Sequence, residues 1–210
     1  ALKTSGVDNL LQGLATWSSE SHYPVDFAAR VFKISYDDKG ERLTWIKVTG
    51  GVLQNKAILV NSQKANQLRT YNGPKFTLNQ TIVAGGVCAV TGLTDTFPGQ
   101  GLGATSDTIT ADIQPVLTYT LDPKNNDLHH CLEALRQLED EDPLLHVTWS
   151  TELNEIRVQI MGPIQLEIIQ QLLFDRFNLD IAFGQGSILY KETINQAIEG
   201  VGHFEPLRHY

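Results

Sequence analysis

The sequence predicts a β-barrel domain followed by an α+β ferredoxin-like domain of βαββαβ order. Three observations carry that expectation. Between residues 27 and 112, short alternating apolar runs are cut by glycine-rich turns. Between 113 and 187, two amphipathic helical stripes are interleaved with four alternating strands. The two stretches also differ in sign of charge. From Phe27 to Thr110, nine Lys and Arg face five Asp and Glu, a net of +4, whereas from Ile113 to Tyr190 four bases face twelve acids, a net of −8.

Taken in order, Val7, Leu10, Leu11 and Leu14 recur at helical spacing after Ser5 or Asp8 and predict a short amphipathic helix. Ser18 to Pro24 reads as a polar linker, so residues 1–26 stand apart from the barrel. Strands are expected at Val31 to Ser35, Leu43 to Thr49, Ala57 to Val60, Thr81 to Val83 and Val87 to Thr91. The turns between them are Asp37-Asp38-Lys39-Gly40, Gly50-Gly51, Asn72-Gly73-Pro74 and Gly85-Gly86. Gly99 to Asp112 reads as a loop, and closure of the strands into an antiparallel barrel over 27–112 is the expected outcome.

In the second stretch, Leu117, Tyr119 and Leu121 alternate with threonines and give the first strand. A helix stripe of Leu128, Cys131, Leu132, Leu135 and Leu138 runs from Asn126 as N-cap to the breaker Asp142-Pro143. Leu145, Val147 and Trp149 predict the second strand, Glu152-Leu153-Asn154 the turn, and Ile156, Val158 and Ile160 the third strand. Gly162-Pro163 opens the second helix with proline at its first position, and Ile164, Ile168, Ile169, Leu172, Leu173 and Phe177 predict its apolar face. Leu179, Ile181 and Phe183 close the unit at 187. Ile188 to Ile194 reads as a strand of a further domain covering 188–210.

Composition narrows the function. The chain starts at Ala1, has Met161 as its sole methionine and ends on His209-Tyr210 inside a patterned segment, as expected of a piece of a longer protein. No apolar run has the length of a membrane span, so no membrane partner is expected. Cys88 and Cys131 fall on apolar stripes and suit reduced buried thiols, hence a cytoplasmic setting. Gly99-Gln100-Gly101-Leu102-Gly103 lacks the lysine of a P-loop and the spacing of a dinucleotide fingerprint. His129, His130 and Cys131 point in different directions on a helix and lack a second cluster, so no metal site is assigned. Neither a nucleophile-base pair nor any other catalytic set emerges, and no enzyme activity is expected of this chain. Glu139 to Asp142 places four acids where the helix dipole disfavours them, by ~0.3 to 1 kcal/mol each, which hints at a contact role beside the blander reading of a solvated helix end.

Four segments resemble the translational GTPases of the elongation factor G class. Phe27 to Val60, which opens F-A-A-R-V-F-K-I-S-Y-D-D-K-G-E-R-L-T-W-I-K-V-T-G-G-V-L, is similar to the opening of their second domain. L-E-A-L-R-Q-L-E-D-E-D-P-L-L-H-V, with Glu141, Asp142 and Pro143, resembles the first helix and second strand of their third domain, and I-L-Y-K-E-T-I at Ile188 to Ile194 the start of their fourth. Ala1, Leu2 and Lys3, followed by G-V-D-N-L-L, resemble the last guanine-contacting motif of the GTPase domain and its closing helix, without the preceding serine. One departure discriminates within the class. Where elongation factor G carries G-E-L-H-L-E, residues Gly162 to Glu167 read G-P-I-Q-L-E, and Gln165 is similar to the tetracycline-resistance ribosomal protection proteins. G-V-G-H-F-E-P-L-R-H-Y at Gly200 to Tyr210 resembles the same side.

The resemblance implies a ribosome-binding, non-catalytic segment. It also implies that small-subunit ribosomal RNA and proteins are partners, along with the parent's own GTPase domain and domains IV and V. GTP and Mg are implied for the full-length parent, with no cofactor in this segment. Arg42, Lys47 and Lys56 are the expected phosphate contacts, since Lys47 alternates with Ile46 and Val48 while Arg42 and Lys56 lie beside turns. The alternative is a stand-alone regulatory or small-ligand-binding module, because ferredoxin-like units also bind metabolites. Base stacking of the RNA-recognition-motif kind is disfavoured, because the expected free sheet face shows Thr118, Thr120, His146, Thr148, Arg157 and Gln159 without aromatics.

Overall fold

The computed structural model describes residues 4–19, 22–188, 194–200 and 202. Eight strands build the first unit: β1 (Ala28–Tyr36), β2 (Arg42–Gly50), β3 (Val52–Gln54), β4 (Gln67–Asn72), β5 (Lys75–Asn79), β6 (Thr81–Val83), β7 (Val87–Thr91) and β8 (Gly101–Gly103). Six of them pair in the order β5-β4-β7-β2-β1-β8, and β3 with β6 forms a two-stranded ribbon. Val31, Ile34, Ile46 and Val48 from the sheet and Leu53 and Ile82 from the ribbon share one core, so the sheet and ribbon wrap a single barrel-like interior.

Three barrel expectations change. Ala57 to Val60 is not a strand: Ile58 makes an isolated bridge to Lys64, and Lys56, Asn61 and Ser62 take φ of 65°, 46° and 64°, which breaks any extended run. A hairpin instead lies at β4–β5 around Asn72-Gly73-Pro74. Alternation does not reveal β5, because it is an edge strand whose residues from Lys75 to Leu78 are all exposed. The glycine-rich stretch after Phe97 contains β8. Gly99, at φ +92°, leaves room for the returning chain, since an added Cβ would collide with the Ile109 carbonyl. In β1, a bulge between Val31 and Lys33 leaves Phe32 out of the β2 register and 48% exposed.

The second unit comprises β9 (Leu117–Asp122), α2 (Leu128–Glu141), β10 (Thr148–Ser150), β11 (Glu155–Ile160), α3 (Pro163–Phe177), β12 (Ala182–Phe183) and β13 (Ser187–Ile188), following α1 (Val7–Trp17) at the start of the chain. The sheet order is β10-β11-β9-β12, and the βαββαβ plan is the expected ferredoxin-like one. Cys131, Leu135 and Leu138 of α2 and Ile169 and Leu173 of α3 cover Ile156, Val158 and Ile160 of β11.

Here too the boundaries move. The N-cap of α2 is Asp127, whose carboxylate accepts the His130 N–H at 2.8 Å, while Asn126 donates to the Pro123 and Asp180 carbonyls. Pro143–Leu145 forms a single 3-10 turn and His146 is left-handed at φ 39°, so the second strand shrinks to Thr148–Ser150 and Trp149 stays exposed. The apolar face of α3 is narrower than its sequence: Ile169 and Leu173 are buried, but Ile164 and Ile168 are 72% and 54% exposed. Ile188 pairs with Leu117 of β9, so the ferredoxin-like sheet reaches one residue past the expected boundary at 187. Residues 189–193 and most of Gly200 to Tyr210 lie outside the described residues. Helix α1 forms as expected, capped by Gly6, yet Leu10, Leu11 and Leu14 are all exposed.

Candidate functional site

The four acids at the C-terminal end of α2 take four different sets of partners, which offsets the unfavourable helix dipole. Glu139 accepts Arg136 Nη1 at 2.6 Å and the Val147 N–H at 2.8 Å, bracing the chain where it leaves the helix. Glu141 is gripped by Arg176 of α3 through Nη1 at 3.0 Å and Nη2 at 2.7 Å, which ties the two helices together. Asp142 caps the 3-10 turn by accepting the Leu144 N–H at 3.2 Å. Asp140 points the other way, into the barrel.

Tyr36 and Arg42 are cross-strand partners at the end of the β1–β2 hairpin and reach the same carboxylate. Arg42 donates from Nε to Asp140 Oδ2 at 2.6 Å and from Nη2 to Oδ1 at 2.7 Å, a fork-on-fork pair, and Tyr36 Oη donates to Oδ2 at 2.7 Å. The guanidinium also serves the loop after β7: Nη1 donates to the Leu93 carbonyl at 2.7 Å and Thr96 Oγ1 at 2.9 Å, and Nη2 to the Thr96 carbonyl at 2.6 Å. The Arg42 side chain is 12% exposed and that of Asp140 28%. Burial opposes the charge on Arg42, but the hydrogen bonds and field of Asp140 outweigh it and raise its pKa. Burial, together with the hydrogen bond to Asp140 and its negative charge, pushes the Tyr36 hydroxyl up to about 12, so it acts as a donor.

The hairpin end is itself held in place. Asp37 accepts the Lys39 and Glu41 N–H groups at 2.9 Å, closing the expected turn. Arg69 of β4 binds Asp37 and Glu41 while its guanidinium lies 4.6 Å from the centre of the Phe76 ring.

The residues singled out in sequence have separate fates. Arg42 is corrected from an outward cation to the centre of this network, because its donors are already committed to Asp140, Leu93, Thr44 and Thr96. Lys47 points away from the core, half-buried, and donates to the Gly85 carbonyl at 2.5 Å. Lys56 is exposed on the loop after β3. Glu141, Asp142 and Pro143 adjoin Asp140 in sequence but serve the ferredoxin-like unit, Glu141 by pairing with Arg176 and Asp142 by capping the 3-10 turn that Pro143 begins. Gly162 is the extended N-cap of α3, Gln165 accepts the Met161 N–H at 3.0 Å and approaches Asp142 Oδ2 at 3.4 Å, and Glu167 is exposed. Ala1, Leu2 and Lys3 lie outside the described residues. Sequence reasoning did not single out Tyr36 or Thr96, and the only hint of Asp140 was the acid run itself. Both cysteines are free and buried, and burial raises the Cys88 thiol to about 12.

The barrel-like unit is thus joined through its first hairpin to the end of α2 in the ferredoxin-like unit. Residues 26–105 match the family described as elongation factor G domain 2, and residues 113–185 match elongation factor G, domain III. The chain carries these two domains of the elongation factor G family. It is 31% identical over 189 residues to elongation factor G 1 of Syntrophomonas wolfei subsp. wolfei (strain DSM 2245B / Goettingen), covering 85% of this chain and 28% of that protein. A crystal structure of a protein from Thermus thermophilus shares the fold with a TM-score of 0.68 at 22% identity, over 85% of this chain and 29% of the other. The chain thus spans well under a third of the curated relative it matches.

Proposed function

We propose that this chain is the non-catalytic, ribosome-binding middle of a GTP-dependent translation factor working in the cytoplasm. The single observation that carries the reading is the succession, in one chain, of elongation factor G domains 2 and III. In this reading the positively charged barrel meets phosphates of small-subunit RNA through Lys47 and Lys56, the ferredoxin-like unit meets ribosomal proteins, and the GTPase domain and domains IV and V are neighbours in the parent. Arg42 is left out of the RNA set because its guanidinium is already committed to the hub. Binding of the chain to small ribosomal subunits, followed over a salt series, tests this. Each lost phosphate contact flattens the log-affinity against log-salt slope by about 0.7 to 0.9, so the Lys47→Ala/Lys56→Ala chain is expected to bind more weakly and with a shallower slope. Equal affinity and slope in the folded double variant would move the contact elsewhere.

GTP and Mg belong, in this reading, to the parent's GTPase domain, since the sequence here holds neither a P-loop nor the guanine-selective N-K-x-D. Calorimetric titration of the chain with GTP is expected to be flat, and micromolar binding would refute the assignment. Within the family we place the parent beside the tetracycline-resistance ribosomal protection proteins. The support is G-P-I-Q-L-E at Gly162 to Glu167, where Gln165 holds the start of α3. A tetracycline-sensitive strain expressing the full-length parent is expected to tolerate more drug, and unchanged tolerance would count against this placement.

A further inference from the structure

We propose that Asp140 is the tie of an interdomain joint, holding the barrel and the ferredoxin-like unit apart at one angle against apolar surfaces that would otherwise close. Among the described residues, the side-chain hydrogen bonds that cross from barrel to ferredoxin-like unit all end on the Asp140 carboxylate, apart from the short-range bond from Gln114 Nε2 to the Ala111 carbonyl within the connection itself. Three clefts also lie along that boundary. One, of about 660 Å³, separates Phe32, Phe97 and Ile109 from Pro143 and Leu144. A second, of about 320 Å³, lies between Ile34 and Ile168 with Leu172. A third, of about 690 Å³, parts Asp37 and Asp38 from Asp175 and Arg176.

The first two clefts expose large apolar side chains: Phe32 is 48% exposed, Ile109 61% and Ile168 54%. Closing either cleft would bury such groups and is favoured by the hydrophobic effect. The covalent connection does not oppose it: residues up to Ile109 are fastened to the barrel by Arg30 and by backbone bonds at Gly99 and Gly101, but residues 110–114 are irregular and exposed. A bidentate pair differs from apolar contact in having one preferred geometry. Anchored at the hairpin end by Arg69 and at the helix end by the Glu141–Arg176 pair, it sets the angle between the units.

Residual dipolar couplings on the whole chain test the joint. In the unmodified protein both units are expected to report one common alignment tensor. Asp140→Ala is expected to give two tensors of different magnitude or direction while the amide shifts within each unit's core stay in place. Should that variant lose its fold, Asp140→Asn keeps the shape of the side chain without its charge and is expected to do the same. Tyr36→Phe removes one of the three bonds, leaves the fork, and is expected to keep the common tensor, as is Asp180→Asn, which breaks an exposed pair with Lys124 inside the ferredoxin-like unit. A common, unmoved tensor in a folded Asp140 variant, or two tensors in the unmodified protein, would overturn the proposal.

Discussion

Leu135→Ala is expected to destabilise the ferredoxin-like unit by about 3 kcal/mol and to leave the barrel folded. Leu135 is fully buried in the middle of α2 and touches the core formed with β11 and α3. Truncating it loses the transfer energy of the removed carbons and opens a cavity between two layers, a combination that costs ~2 to 5 kcal/mol in tight interiors. The barrel has a separate core with no residue in common, so the loss has no direct route into it. Hydrogen exchange resolved by residue should therefore show α2, β9 and β11 opening more readily while β1, β2 and β7 keep their protection. Equal loss of protection in both units would mean that they unfold as one cooperative block.

Arg42→Ala is the second large effect, expected at about 2 to 4 kcal/mol and felt in both units. It orphans the Leu93 and Thr96 carbonyls and an acceptor site on Thr44, which is fully buried, and leaves Asp140 with Tyr36 alone. The loss stays below that for a fully buried pair because Asp140 is 28% exposed and water can solvate it. Lysine keeps the charge but cannot form the planar fork, so Arg42→Lys should recover less than half of the loss in urea unfolding. Full recovery by lysine would show that charge alone is what the site requires.

The βαββαβ order, both helices and the β1–β2 hairpin are legible because each rests on a local period or a turn signal. The pattern fails where burial and pattern part company. The edge strand β5 has no buried face to advertise, and Ala57 to Val60 looks like a strand although left-handed residues on either side interrupt it. The wide apolar face of α3 is only half used, since the sheet beneath covers Ile169 and Leu173 and leaves Ile164 and Ile168 to the outside. At the hub, the acid run after Leu138 is the one anomaly visible in sequence, and its clash with the helix dipole points to contacts. It does not say with whom, because Tyr36 and Arg42 lie about a hundred residues away in sequence.

Sequence alone determined which segments form helices, where the β1–β2 hairpin lies, and which family the pattern matches. These follow from side-chain period, turn chemistry and the number of apolar residues each segment must bury, all properties of neighbouring residues. Tertiary structure decided the role of each charge. Arg42 reads in sequence as a cation beside a turn, no different from Lys56, yet it becomes an internal fastening because a strand register places it beside Tyr36 and a helix end brings Asp140 within 2.6 Å. Electrostatic partnership depends on distance and burial, and for residues far apart in the chain both exist only after folding.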